Sequence, residues 1–319
     1  MREQNPPPFE VPAQFAGTRI DKALAALLPE HSRAEMQQWL KRGLVLVDGE
    51  HAKQSYQLRG GENLEVFPPS PQPSDSPAQS VDFEIVARDE DLLIINKPAG
   101  LVVHPGAGQP DRTLLNGLLH ADDELRTLPR AGIVHRLDKG TSGLLAVARN
   151  ENARRDLIVQ LQAHDMTRRY SAVVSGVPVA GECIDQPVGR HRRERLRMCV
   201  TPRGKPAVTH VRVERKYRNH CLIRAELETG RTHQIRVHLS WRGFPLVGDP
   251  LYAGRARVPA GASEKLRAAL AKFKRQALHA AHLSLRHPRS GEVMRWERPP
   301  PEDFQKLVDA LEEDSRPKK

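Results

Sequence analysis

Residues 131–149 read AGIVHRLDKGTSGLLAVAR, and this stretch decides how the rest of the chain is to be read. An apolar run, Gly132 to Val134, leads into polar His135-Arg136-Leu137-Asp138-Lys139. Gly140-Thr141-Ser142-Gly143 then turns the chain. Leu144 to Ala148 is a second apolar run, of a length that suits a buried strand. The pattern predicts strand, polar loop, strand. Asp138 is thereby presented on a loop between two rigid elements, a common place for a catalytic group. A loop aspartate alone is better read as a turn cap. Arg136 and Lys139 change the weighing, because positive charge on both sides favours an anion able to act as a nucleophile.

Working outward, strands recur. Phe83 and Ile85 alternate, and Leu92 to Ile95 is a continuous apolar run broken by Lys97-Pro98. Tyr170 to Val174, Val208 to Arg215, Leu222 to Leu227, Leu283 to Arg286 and Met294 to Glu297 also read as strands. Asn150 is placed to cap a helix through Gln162, with Ala153, Leu157, Ile158 and Leu161 on one face. Phe304, Leu307, Val308 and Leu311 mark a last helix. Strand follows strand with few helices between, which predicts an α+β fold on a mainly antiparallel sheet, not a doubly wound one. No glycine fingerprint follows a strand and no Walker loop occurs, so no nucleotide cofactor is expected.

Upstream, residues 68–80, PPSPQPSDSPAQS, cannot build a core and read as a linker. The expected organisation is a flexible tail over 1–16, a small module over 17–67, the linker over 68–80, a large domain over 81–312 and a flexible tail over 313–319. In the small module Ile20, Leu24, Leu27 and Leu28 recur at helical spacing, and Pro29 ends that helix. Ser32 and Glu35 form a capping box for a second helix, with Met36, Trp39 and Leu40 on its buried face and Gly43 at its end. Leu44 to Val47 reads as a strand, Asp48-Gly49 as a hairpin turn, and Leu64 to Phe67 as a further strand. Arg33, Lys41 and Arg42 cluster on and just after the second helix. Taken alone they are an ordinary solvated face.

A second run with chemical content is LETGRTHQIRVHL, residues 227–239. Arg231 and Arg236 follow a Thr-Gly turn, in company with His233 and His238. The two histidines lack the spacing of a helical metal pair, and no acidic or cysteine ligand stands near, so no metal is expected. Surface arginines on a strand end are one reading. The other is that one arginine pairs with a buried carboxylate and another grips phosphate.

Bulk composition narrows the partners. The chain has 319 residues, which suits two or three domains, and no run of eighteen apolar residues, so no membrane span is expected. Met1 to Pro12 is polar and proline-rich, unlike a signal peptide, and a cytoplasmic location is expected. Cys183, Cys199 and Cys221 fit neither a disulfide framework nor a zinc site. The formal charge is +11. Between Arg190 and Lys216, ten Lys/Arg face two Glu, a net +8 that includes Arg190, Arg192 and Arg193. Such a one-signed cluster calls for a neutraliser, and a phosphate backbone is the natural one. A membrane surface fits less well, since the segment has no amphipathic apolar face.

Four ordered motifs carry a resemblance. HRLDKGTSGLLAVAR, GRTHQIRVHL, INKPAGLVVHPGAG (94–108) and LVGDPLYAG (246–254) together resemble the RluA family of pseudouridine synthases. R-I-D-K-A-L, H-S-R and R-G-L-V-L-V-D-G in the small module resemble the RNA-binding module named after small-subunit ribosomal protein S4. The likeness runs from about residue 17 to 311. It implies a mixed, largely antiparallel sheet with flanking helices. It also implies isomerisation of specific uridines to pseudouridine in large-subunit (23S) ribosomal RNA, in a uridine-rich stem-loop, with no cofactor and no metal. By this resemblance Asp138 matches the catalytic aspartate, Tyr170 the tyrosine that stacks on the target base, Arg236 the arginine that pairs with the aspartate, and Leu278 an apolar wall of the base pocket. His135, Arg136, Arg231, Arg190, Arg192, Arg193, Arg33, Lys41 and Arg42 are the expected RNA-contact residues. Gly140 departs from the acidic residue many relatives carry after Lys139.

Asp138 then adds to the base, attacks C1′ or abstracts the 2′ proton; the residues leave these routes open. Two other functions are weighed: a non-catalytic RNA-binding or ribosome-assembly protein on the same fold, and a synthase acting on tRNA or another rRNA site. The joint presence of Asp138, Tyr170 and Arg236 argues against the first. A monomer is expected.

Overall fold

The computed structural model describes residues 8–28, 33–68, 76–106, 108–254 and 258–316. The chain divides into two compact units, Met1–Pro73 and Ser74–Lys319.

In the first unit, strand β1 (Phe9–Glu10) precedes helices α1 (Ile20–Leu27) and α2 (Arg33–Lys41), followed by β2 (Val45–Val47), β3 (Glu50–His51) and β4 (Asn63–Val66). The helices turn Ile20, Leu24, Met36, Trp39 and Leu40 into one core with Val45, Val47 and Leu64. Gly43, at φ 70°, ends α2, and Leu44 N–H closes back on Trp39 O at 2.9 Å, the Schellman pattern. Asp48 (φ 50°) and Gly49 (φ 80°) take the type I′ geometry that joins β2 to β3. The expected roles of Pro29 and Ser32 lie outside the described residues. Part of the expected flexible tail is structured: Phe9 pairs with Leu64, and Val11 is buried, because the sheet of this small unit needs the extra strand to cover its core.

The second unit carries a nine-stranded mixed sheet. Its strands are β5 (Glu84–Arg88), β6 (Leu92–Lys97), β7 (Ser142–Ala148), β8 (Thr167–Ser175), β9 (Glu182–Asp185), β12 (Val208–Lys216), β13 (His220–Leu227), β14 (Leu278–Arg286) and β15 (Val293–Glu297). A separate hairpin pairs β10 (Val188–Arg190) with β11 (Met198–Val200). The sheet order is β5-β6-β7-β14-β8-β13-β12-β9, with β15 on β14. Among the described residues β7 and β14 run parallel and the other sheet pairs antiparallel.

Helices α3 (Leu114–Ala121), α4 (Glu151–Gln162), α5 (Gln234–Trp241), α6 (Glu264–Lys272) and α7 (Glu302–Ser315) flank the sheet. Leu92 to Ile95 of β6 and Leu144 to Ala148 of β7 are continuous apolar runs because both faces are covered. Leu93, Ile95, Leu145 and Val147 join the core of α3, while Leu92, Ile94, Leu144 and Ala146 meet Ala153 and Leu157 of α4. Asn150 caps α4, its side chain accepting from Ala153 N–H at 2.9 Å.

The structure corrects several expectations. Gly132 to Val134 is not a strand; Gly132 ends a run of three positive-φ residues that begins at Arg130, and Ile133 makes an isolated bridge to Val147 rather than a ladder. HQIRVHL is not a strand end but helix α5, with Gln234 to Leu239 all buried. The end of the expected linker is held: Asn116 donates to Pro77 O at 2.9 Å and Gln79 N–H to Asn116 O at 3.0 Å. α7 runs into the expected C-terminal tail because Asp314 accepts from Ser263 N–H and pairs with Arg218 at 3.0 Å.

Candidate active site

The loop that carries Asp138 is shaped by backbone strain. Arg130 (φ 56°), Ala131 (φ 51°) and Gly132 (φ 73°) are left-handed in succession. The two non-glycine residues each cost about 1–2 kcal/mol there. Gly132 is required by close approach as well, since a Cβ would stand 1.9 Å from Ala148 O. Beyond it Leu137 is buried in the core and anchors the loop, so the next side chain, Asp138, is turned into a cleft. Thr141 N–H returns to Asp138 O at 3.0 Å. His135 Nε2 accepts from Ala146 N–H at 3.0 Å. Burial, helped by the charge of Arg168, pushes the His135 pKa down to about 3, so the ring is a neutral acceptor.

Lys97, at the end of β6, secures the loop from behind. It is fully buried, and its Nζ donates to Pro98 O and Leu101 O at 2.8 Å and to Lys139 O at 3.4 Å. Burial lowers its pKa to about 7; the Asp138 charge opposes this and Arg275 adds to it.

Arg236, on the buried α5, supplies the counter-charge. Its Nη1 donates to Asp138 Oδ2 at 2.9 Å. Its Nε and Nη2 donate to Asp249 Oδ2 and Oδ1 at 2.7 and 2.9 Å, a two-pronged bond that fixes the guanidinium plane. Asp249 is itself fixed, accepting from Leu251 and Tyr252 N–H at 2.9 and 3.1 Å. Burial works against the Arg236 charge, but hydrogen bonds and charge from Asp249 and Asp138 outweigh it and hold the pKa above the ordinary guanidinium value. The Tyr252 ring centroid lies 5.0 Å from the Arg236 guanidinium carbon, within cation–π reach. Tyr252 OH accepts from Met198 N–H at 2.9 Å and meets His233 Nδ1 at 2.9 Å. His233 Nε2 in turn stands 4.0 Å from Asp138 Oδ1.

Asp138, Arg236 and His233 face a cleft of about 610 Å³ that is also lined by Tyr170 of β8, Leu278 of β14, His135, Arg136 and Arg231. Tyr170 and Leu278 are nearly inaccessible and continue the hydrophobic core into the cleft wall. Burial pushes the Tyr170 phenol up, Arg168 opposing and Asp138 adding, so it is a neutral aromatic face. Arg231 Nε is engaged by Pro206 O at 2.9 Å, and Arg136 is exposed at the rim. The sequence neighbours Arg136 and Lys139 do not pair with Asp138 among the described residues; its partner comes from 98 residues further on.

The remaining expected contact residues lie elsewhere. Arg190, Arg192 and Arg193 are exposed on the β10–β11 hairpin, without an ion pair among the described residues. The loop of that hairpin touches the site through Tyr252, whose ring lies 5.3 Å from the Arg197 guanidinium carbon. Arg33, Lys41 and Arg42 belong to the first unit. Arg33 pairs with the fully buried Asp21 at 2.8 Å, while Lys41 and Arg42 are exposed. Burial raises the Asp21 pKa, but bonds from Gln37, Arg33 and Arg19 prevail and bring it to about 2. Asp89, Asp91 and His287 cluster, but Arg289 holds Asp91 at 2.8 Å and Asp89 accepts from the Asp91 and Leu92 N–H groups.

Sequence reasoning missed Asp249, Tyr252, Lys97 and Arg168. The first three stood inside the motifs LVGDPLYAG and INKPAG, and the signal was there as an acid, a phenol and a lysine set among apolar residues. Arg168 stood two residues before Tyr170.

Residues 91–241 match the family described as RNA pseudouridylate synthase, and residues 18–64 match the S4 domain. "Ribosomal large subunit pseudouridine synthase D" of Xanthomonas campestris pv. campestris is 50% identical over 96% of this chain and 92% of its own length. The protein of the same name from Pseudomonas aeruginosa is 48% identical over 96% and 95%, and that from Escherichia coli K12 47% over 93% and 92%. Among solved structures, human RNA Pseudouridylate Synthase Domain Containing 4 superposes with a TM-score of 0.57 at 25% identity, covering 72% of this chain and 92% of its own.

Proposed function

The chain belongs to the RNA pseudouridylate synthase family, and from that premise we propose that it isomerises specific uridines in large-subunit ribosomal RNA with Asp138 as the reacting group. One observation carries the reading. Asp138 is held by Arg236, which Asp249 locks from behind, and the same cleft presents the Tyr170 face and the Leu278 wall.

The reaction breaks the N1–C1′ bond, turns the uracil and joins C5 to C1′. The base must leave its stack to be reached. Tyr170 offers a flat apolar face on which it stacks, and Leu278 closes the pocket beside it. Arg236 spends two of its donors on Asp249 and one on Asp138 Oδ2, so that among the described residues Oδ1 accepts no hydrogen bond, with His233 Nε2 4.0 Å away. Addition to the base, attack on C1′ and removal of the 2′ proton all use that oxygen. The exposed arginines at 190, 192 and 193 on the hairpin, and the S4-like module with Arg33, Lys41 and Arg42, supply charge for the phosphate backbone.

Asp138→Asn tests the assignment. Pseudouridine formation on a large-subunit RNA fragment is expected to fall by more than about 1000-fold, with RNA affinity retained. Near-normal turnover in that variant removes Asp138 from the chemistry. Mapping pseudouridine in rRNA and tRNA from cells lacking the protein tests the substrate: persistence of every large-subunit site defeats the rRNA reading.

A further inference from the structure

Three arginines of the second unit are buried to a similar degree: Arg154, Arg168 and Arg236. Arg154 meets Glu151 and Arg236 meets two aspartates. Arg168 meets no carboxylate within 4 Å among the described residues. Its Nη2 donates to the neutral carbonyls of Glu228 at 3.0 Å and Leu227 at 3.4 Å, and its Nε has no hydrogen-bond partner among the described residues. The nearby His135 ring is neutral and offers no counter-charge. An enclosed charge without a partner is costly and is not kept for stability.

Arg168 lines the same cleft as Asp138. It precedes Tyr170 by two residues on β8, so both side chains leave the strand on one face. Gly230 lets the guanidinium lie close at the cleft wall, since a Cβ there would stand 2.9 Å from Arg168 Nη1. The guanidinium thus waits beside the base-stacking face with donors to spare.

Building on the functional reading above, we propose that Arg168 is a catalytic residue that stabilises the uracil anion released when the N1–C1′ bond breaks. The bonding pair leaves with the base and spreads over N1 and the two carbonyl oxygens. It returns to C1′ through C5, after which C5 loses its proton and N1 gains one, so the composition is unchanged. A preorganised cation in a water-poor cleft acts on charge that develops only during the reaction. The exposed Arg130 and Arg136 at the rim are better placed for a phosphodiester; a flipped base reaches further in.

The test compares the full-length wild type with Arg168→Met and Arg168→Lys in single-turnover reactions on a large-subunit RNA fragment. A second fragment carries 5-fluorouridine at the target, because the fluorine withdraws charge and makes the leaving anion more stable by itself. Arg168→Met is expected to slow glycosidic cleavage of the uridine substrate by about 100-fold or more, with RNA Kd unchanged within roughly two-fold. On 5-fluorouridine the defect is expected to shrink by at least about ten-fold. Arg168→Lys, which keeps a charge in a fold little disturbed, should show a smaller defect with the same dependence on fluorine. Equal slowing of both substrates by both variants overturns the proposal, and so does weakened Kd with an unchanged rate, which makes Arg168 a phosphate contact. A wild type that converts no uridine overturns the functional reading itself, and this proposal with it.

Discussion

At the residue scale the site is a chain of charges, Asp138 to Arg236 to Asp249, in which each member is oriented by the next. Removing the last link leaves a buried cation facing a single carboxylate. Asp249→Ala is therefore expected to destabilise the folded state by about 3–5 kcal/mol and to lower turnover through misplacement of Arg236. Denaturant unfolding checks the first effect and single-turnover rates the second. Unaltered stability would mean that water replaces the carboxylate at no cost. Asp138 and Arg236 were legible in the sequence as residues, but their pairing was not. The charges beside Asp138 in the chain, Arg136 and Lys139, pointed at a local explanation, whereas the contact is made across 98 residues. Asp249 was hidden for a related reason: an aspartate before a proline and a turn reads as loop chemistry, and only burial reveals its partner.

At the element scale, the amphipathic helices and hairpins were readable because their patterns have one dry face and one wet face. The cap at Asn150 and the Asp48-Gly49 turn fall where the residues required them. Helix α5 was not readable. Ile235, Val237 and Leu239 alternate with polar residues as in a strand, but the polar partners are buried too: Gln234 donates to Val208 O at 3.0 Å and His238 bonds to Thr209 and Gln186. When every face of a helix is dry, periodicity carries no information. The β10–β11 hairpin shows the opposite case, a wet element on which Arg197 pairs with Glu194 while Arg190, Arg192 and Arg193 have no ion pair among the described residues. Charge reversal of Arg190, Arg192 and Arg193 to Glu is expected to weaken RNA binding and to flatten the dependence of log Kd on log salt by roughly two to three units. Kd titrations between low and moderate salt measure it, and an unchanged slope would return the hairpin to an ordinary solvated loop.

At the scale of the whole molecule, burial of imidazoles makes stability depend on pH. The pKa values of His135, His104 and His220 are lowered chiefly by burial, to about 3, 4 and 4 from an ordinary 6.5. Below 6.5 the unfolded chain takes up protons that the folded chain refuses, so stability falls as pH drops from about 6.5 toward 4. His135, whose pKa is the lowest of the three, contributes up to about 1.4 kcal/mol per pH unit in that window. The carboxylate of Asp21, held at about 2, loses its contribution only at lower pH. Unfolding midpoints between pH 5 and 6.5 therefore isolate the imidazoles. His135→Gln is expected to reduce the slope there, and an identical slope would show that His135 is protonated in the folded state. The α+β class and the mixed sheet with its two-unit layout were readable from the order of strands and the proline-rich break. The strand order was not, because it rests on pairings between distant segments.

That strand order has a consequence in time. β14, which begins at Leu278, lies between β7 and β8, so it divides the sheet into an earlier half (β5-β6-β7) and a later one (β8-β13-β12-β9). Each half can pair within itself as the polypeptide leaves the ribosome, but Asp138 lies just before β7 of one half and Tyr170 sits in β8 of the other. The seam between them closes only when one of the last strands to be synthesised slides into place. A growing chain of this kind holds every charged member of its site before it holds the site, and it stays chemically silent until β14 has been made.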